Sequence, residues 1–253
     1  MSTYKATIVT ALFDIQRNTK GDGRTVEQYV EWFKKTLLVN CPMIIFCEEK
    51  FAQLAENRPC PTKVIVQSLK DASYYKYINR MNEILNSPEY KCRISCPERI
   101  ECRMAEYSII QYSKFGWLEH TIEENPFNTE NFYWIDAGCS RFFLDVDLSR
   151  PYPSKTLERF TIQGRNDLDP SNITDDFIWD CKNYLIGTMF GGPSQFVLQV
   201  GKLVEEQFNH MIDNNNVNNE QLALAIVWKR HPELFSVVIN DTRHHLILFK
   251  HLS

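Results

Sequence analysis

The 253-residue chain has no run approaching the ~18 uninterrupted apolar residues that a membrane-spanning helix requires. Its first apolar stretch, Ala6 to Phe13, stops at Asp14 and lacks the small-residue cleavage pattern of a signal peptide. The amino terminus therefore reads as a first strand, with no transmembrane segment and a cytoplasmic location expected. A long basic run is missing as well. The 28 lysines and arginines and 32 acids, a formal charge of -4, are spread along the sequence, so no phosphate-tracking surface is evident and nucleic acid is not an expected partner. Paired C-x2-C spacing is absent. Eight cysteines without an export signal read as buried thiols, and the cluster Cys92, Cys96 and Cys102 has neither zinc-type pairing nor an evident fourth ligand. G-x-G-x-x-G, P-loop, H-E-x-x-H and G-x-S-x-G are all absent, which removes the usual signatures of dinucleotide oxidoreductases, NTPases, zincins and α/β-hydrolases.

What is present suits a sizeable core: 43% hydrophobic and 13% aromatic residues, in one continuous α/β domain. Short apolar runs at 7–13, 43–47 and 64–67 read as strands ending in polar loops. Val26, Tyr29, Val30, Phe33 and Leu37 fall at helical spacing. Ser95 with Glu98 and Pro97 predicts a capped helix start, running to about Phe115 or beyond, in which Arg103 and Lys114 are cations on a solvated face. Further strands are expected at 159–163, 184–190, 235–239 and 246–249, with helices over 194–213 and 220–230. Gly191-Gly192-Pro193 predicts a tight turn before the first of these helices, and the asparagines of 214–219 a simple loop.

The segment Asn131-Phe-Tyr-Trp-Ile-Asp-Ala-Gly138 carries the most information. An apolar aromatic strand ends in Asp136 followed by two very small residues, and in open α/β sheets the ligand crevice lies outside the carboxyl ends of the strands. An ordinary strand ending in an Asx turn has the same appearance.

Thr7-Ile-Val-Thr-Ala-Leu-Phe-Asp14, Tyr29-Val-Glu-Trp32, Trp134-Ile-Asp-Ala-Gly138 and the Gly191-Gly192 turn with its following helix, in that order over residues ~7 to 230, resemble the HtrL/YibB family, whose members are similar to nucleotide-sugar glycosyltransferases of the GT-A fold. The resemblance implies a single GT-A-like domain over residues 1–253, with a mixed, mostly parallel central sheet flanked by helices. Its nucleotide-sugar half would cover about 1–148 and its acceptor half about 149–253. The implied activity is transfer of a sugar from a nucleotide diphosphate donor, a UDP-sugar before a GDP-sugar, to a hydroxyl of a glycan or glycosylated acceptor. Thr10, Ala11, Phe13 and Asp14 would flank the nucleotide, and Asp136, Ala137 and Gly138 would face the diphosphate. Arg103 would contact phosphate or sugar through a two-pronged guanidinium.

In such enzymes a strand-terminal Asp-x-Asp holds a divalent metal, Mn or Mg, that neutralises the leaving diphosphate. Here Gly138 stands in place of the second carboxylate, so Asp136 is the one metal ligand of that motif. Asp145-Val-Asp147 is a literal Asp-x-Asp nine residues on, although the pattern reads first as the polar end of an edge strand running into the Pro151 linker. His244 or His245 is a further candidate ligand; adjacent residues on a strand point to opposite faces, so at most one would reach. Gly191 and Gly192 would border the acceptor, with Gln221 beside them. Glu220 would act on the acceptor hydroxyl, or else serve only as a first-turn acid favoured by the helix dipole. Two rival functions are a non-catalytic sugar-nucleotide or glycan-binding protein of the same fold, and a metal-dependent phosphoesterase or nuclease using Asp136, Asp145 and Asp147.

Overall fold

The computed structural model describes residues 4–143, 145–240 and 247–253. Seven strands form a mixed sheet in the order β3-β2-β1-β4-β6-β5-β7: β1 (Ala6–Leu12), β2 (Met43–Cys47), β3 (Thr62–Val66), β4 (Asn131–Ile135), β5 (Phe160–Arg165), β6 (Leu185–Pro193) and β7 (Phe235–Asn240). β1, β2, β3 and β4 run parallel, β6 runs against both β4 and β5, and β7 lies parallel to β5. The α/β architecture expected from the alternating pattern is therefore present, in one domain.

The helices are α1 (Arg17–Lys20), α2 (Val26–Thr36), α3 (Glu49–Ala52), α4 (Ile78–Asn86), α5 (Pro88–Arg93), α6 (Ala105–Glu124), α7 (Ser194–Asp213), α8 (Glu220–Arg230) and α9 (Ile247–His251). Strand alternation divides the core. Val9, Ala11, Ile44, Phe46, Phe132 and Trp134 face the layer containing α4 to α8. Ile8, Leu12, Met43, Ile45, Tyr133 and Ile135 face the layer of α2, α3 and α9. Full burial on both faces explains why β1, β2 and β4 read as continuous apolar runs and not as alternating ones.

α2 starts where a reciprocal cap satisfies two orphan amides: the Thr25 hydroxyl accepts from the Gln28 N–H, and the Gln28 side-chain oxygen accepts from the Thr25 N–H. The box expected at Ser95 does not form. The Ser95 hydroxyl donates instead to the Trp179 carbonyl at 2.9 Å, so α6 begins only at Ala105 and Arg103 precedes it. α6 shows no single apolar stripe because it is central: Ile109, Tyr112, Phe115 and Leu118 are buried, and so are Ser108, Ser113 and Lys114. Residues 145–149 form no strand; the Asp147 carboxylate caps its own turn through the Ser149 amide and hydroxyl. The four apolar residues from Leu246 are too few for periodicity to separate strand from helix, and from Ile247 the chain is helical, with Leu248 and Phe249 buried.

Gly191 and Gly192 lie inside β6, paired with Tyr133 and Phe132, and do not form a turn. Both adopt positive φ (156° and 152°), and a Cβ would strike the Phe132 carbonyl oxygen at the first and the Arg159 carbonyl oxygen at the second. Glycine is needed here for backbone packing within the sheet. Gly191→Ala is thus expected to cost about 2 kcal/mol or more of unfolding free energy, read from the urea midpoint; an unchanged midpoint would contradict this placement.

Candidate functional site

In the order β3-β2-β1-β4 the direction of winding reverses between β1 and β4, and a cleft opens outside the carboxyl ends of these two strands. It holds about 840 Å³ of space counting its open mouth and the solvent there. Ala11, Phe13 and Asp14 line it from the end of β1, and Asp136, Ala137 and Gly138 from the end of β4. Six of the positions expected from the sequence thus meet in one place. Tyr107 and Gln111 of α6, Tyr29 of α2 and Thr188 of β6 complete its walls.

Three arginines that the sequence reading did not single out also line the cleft: Arg17, Arg24 and Arg141. Arg17 grips Asp22 through two hydrogen bonds (3.0 and 2.6 Å), bonds the Tyr29 hydroxyl at 2.5 Å and stacks over Tyr107. Burial works against its charge, but Asp22 and the two phenols more than offset that, and the guanidinium is held above its ordinary range. Arg24 shares the same Asp22 at 3.5 Å. Arg141 lies over the rings of Trp32 and Phe142, each 4.6 Å away, and has no carboxylate within ion-pair distance among the described residues. Desolvation, followed by repulsion from Arg24, pushes its charge down. One wall of the cleft thus carries three cations, two of which share a single acid.

Beneath the cleft lies a buried charge cluster. Lys114, 1% exposed, donates to Glu220 Oε1 at 2.7 Å and to the Gly187 carbonyl at 3.0 Å, and pairs with Asp136 Oδ1 at 3.1 Å. The Trp134 indole N–H donates to the same Asp136 oxygen at 2.7 Å, and Trp134 is held by stacking on Trp117, which in turn stacks on Phe13. Asp136 is 35% exposed and Glu220 not at all. Burial alone would depress the Lys114 ammonium, yet Asp136 and Glu220 hold it above its ordinary range. Burial raises the Glu220 carboxyl, and Lys114 only partly reverses that. Lys114 is therefore not the solvated cation expected from the sequence.

Local structure accounts for this arrangement. The asparagine segment is built into the fold: Asn218 donates to the Ile178 and Asp180 carbonyls, and Asn219 caps α8 while bonding Glu101. The first residue of α8 is thereby delivered inward. Gly187 leaves room for it, because a Cβ there would collide with Glu220 Oε1. Gly138 is small for a similar reason, since a Cβ would lie 3.1 Å from both the Tyr29 and Trp32 rings. α2 is further tied to this turn by Thr36, which donates to the Ala137 carbonyl, and by Ser140, which donates to the Trp32 carbonyl.

The other expected positions fall elsewhere. Thr10 is fully buried on the opposite face of the sheet. Arg103 braces the Gly21 carbonyl at 2.6 Å, within the loop between Arg17 and Arg24. Gln221 accepts from the Gly187 amide. Gly191 and Gly192 do not line the cleft, and neither do Asp145 and Asp147. His244 and His245 lie outside the described residues. Asp14 is fastened by the Gln16 amide and Lys50, which hold it below the ordinary carboxylate range against the effect of burial. No group of three or more His, Cys, Asp or Glu that could hold a metal occurs among the described residues.

Glu220 is screened from the cleft by Lys114, so Glu220→Gln should act through stability. Both groups of the pair are raised. The Glu220 contribution is thus full below the ordinary carboxyl range and falls as pH rises through the folded value; that of Lys114 is lost only in alkali, as pH rises through its raised value. Removing one partner from a buried pair costs ~3–5 kcal/mol when the remaining charge is left unpaired, and Asp136 still meets the ammonium. Glu220→Gln is therefore expected to lower the unfolding free energy by about 1–3 kcal/mol, and Lys114→Met by more, measured by denaturant titration at pH 7. Unchanged stability in both would contradict the charge cluster.

Comparison with known proteins agrees over nearly the whole chain. Protein HtrL of Escherichia coli (strain K12) is 26% identical over 249 residues, covering 91% of this chain and 86% of that protein. Residues 4–250 match the family described as "Bacterial protein of unknown function (HtrL_YibB)". The chain belongs to the HtrL/YibB family.

Proposed function

We propose that the protein is a glycosyltransferase whose donor, a sugar joined to a nucleoside diphosphate, occupies the cleft between β1 and β4. The observation that carries this reading is the pairing, at one switch point of the sheet, of a half-buried strand-end carboxylate with a wall of arginines. Guanidiniums suit phosphate oxygens through planar, two-pronged hydrogen bonds. In the transfer, the bond from the anomeric carbon to the diphosphate breaks and one to the acceptor oxygen forms. The acceptor hydroxyl proton goes to a base. Asp136 is assigned that role, since Lys114 and Trp134 occupy only its Oδ1. Arg24 and Arg141 are assigned to the charge that develops on the leaving diphosphate. A UDP-sugar is favoured as donor before a GDP-sugar, with a glycan hydroxyl as acceptor. Eight free thiols accord with a reducing compartment such as the cytoplasm, and no helix among the described residues is long and apolar enough to cross a membrane.

A protein-held divalent ion receives no step in this scheme. Asp136 offers one carboxylate, already engaged by an ammonium, and hard cations such as Mg²⁺ or Ca²⁺ ask for several oxygen ligands. The complete burial of Glu220 favours one second reading, a binding protein of the same fold, because it removes the acid expected at the acceptor. Turnover separates the two. Asp136→Asn should lower sugar transfer, or release of free nucleoside diphosphate from the sugar donor, by about 100-fold or more. Asp147→Asn, whose carboxylate serves its own turn, should leave the rate unchanged. A wild-type protein that binds the donor without ever releasing nucleotide would establish the non-catalytic reading.

A further inference from the structure

We infer that the cleft binds the diphosphate of its ligand through Arg24 and Arg141 alone, with no divalent metal ion between phosphate and protein. The inference rests on the donor-site reading above and narrows it. Three cations, Arg17, Arg24 and Arg141, line one wall, and Asp22 is the acid shared by the first two. Arg17 is spoken for by the fork to Asp22 and the Tyr29 hydroxyl. Arg24 has a 3.5 Å contact to that same acid and a side chain 41% exposed. Arg141 is fixed from below by Trp32 and Phe142 with its nitrogens uncommitted, and burial, then the neighbouring Arg24, penalise its charge. A bound anion would relieve that repulsion, so the free cleft is set up for an anionic ligand.

The carboxylates are arranged against a cation. Asp14 is held by Lys50 and the Gln16 amide. Asp136 already has the Lys114 ammonium 3.1 Å from Oδ1. A second carboxylate beside it, at position 138, would be crowded, because a Cβ there already lies 3.1 Å from the Tyr29 and Trp32 rings, which would have to give way. A divalent ion entering the cleft would therefore meet two carboxylates already engaged by lysines, Asp14 and Asp136, and the guanidiniums of Arg17, Arg24 and Arg141. The positive charge that a diphosphate needs is supplied by the chain itself.

The test is ligand-induced stabilisation and calorimetric affinity of the full chain for inorganic pyrophosphate, uridine diphosphate and guanosine diphosphate. Each is measured in excess EDTA and again with magnesium or manganese. A nucleotide is expected to raise the melting temperature in EDTA, with an affinity within about 3-fold of that with metal, and the affinity should fall with added salt. Arg141→Gln and, separately, Arg24→Gln should each weaken binding by about 10-fold or more. Arg24 is exposed enough that its loss leaves the fold intact, so the test survives if Arg141→Gln misfolds. Nucleotide binding seen only with metal would overturn the inference and leave the donor site standing, as would full affinity in both arginine variants. Pyrophosphate binding in EDTA without either nucleotide would keep the metal-free anion site and overturn the nucleotide reading. No binding in any arm would overturn both.

Discussion

The ammonium of Lys114 is the point on which the site depends. It joins α6 to the start of α8 through Glu220, to β6 through the Gly187 carbonyl, and to the tip of β4 through Asp136. Each contact is short because the elements around it are shaped for the purpose. Gly187 has no side chain where Glu220 Oε1 lies, and the buried asparagines before α8 fix where that helix begins. Burying one lysine with two carboxylates is not a gain in stability in itself, since desolvation offsets most of the attraction. What it fixes is geometry: Asp136 is presented at the cleft with one oxygen engaged.

Above that cluster the cleft is made by α2 and the loop before it. Tyr29 and Trp32 pack on Gly138, Trp32 carries Arg141 on its face, and Tyr29 bonds Arg17. The short motifs Tyr29-Val-Glu-Trp32 and Trp134-Ile-Asp-Ala-Gly138, far apart in sequence, are two halves of one contact. The aromatic residues that crowd position 138 are the same ones that hold Arg141 and Arg17 beside the cleft.

Much of this was legible in the sequence. The runs at β1, β2 and β4 are long enough and apolar enough to be seen directly, and Ser194–Asp213 and Glu220–Arg230 match helical stripes with clear ends. Of the positions that the resemblance implied near the nucleotide and diphosphate, Ala11, Phe13, Asp14 and Asp136 to Gly138 line one cleft, whereas Thr10 and Arg103 do not. The misses have physical causes. A Ser-x-x-Glu pattern is a capping box only if the serine hydroxyl is free, and the hydroxyl of Ser95 is committed to Trp179. Lys114 looks solvated from pattern alone because its partners Asp136 and Glu220 are distant in sequence. Arg17, Arg24 and Arg141 sit in short helices or loops, where no periodicity marks a side chain as facing a site. Glycines at 191 and 192 resemble a turn, yet they serve close backbone approach within the sheet.

The central claim is that this cleft receives a diphosphate on its arginine wall with Asp136 facing the group to be transferred. A crystal structure of the protein with a nucleoside diphosphate, grown once in EDTA and once with manganese, tests it most directly. The account predicts phosphate oxygens within hydrogen-bond distance of the Arg24 and Arg141 guanidiniums in both crystals, the nucleoside running toward the end of β1, and Lys114 still bonded to Glu220 and Asp136. Nucleotide bound elsewhere on the molecule, or phosphates joined to Asp136 by a metal and turned away from the arginines, would contradict it.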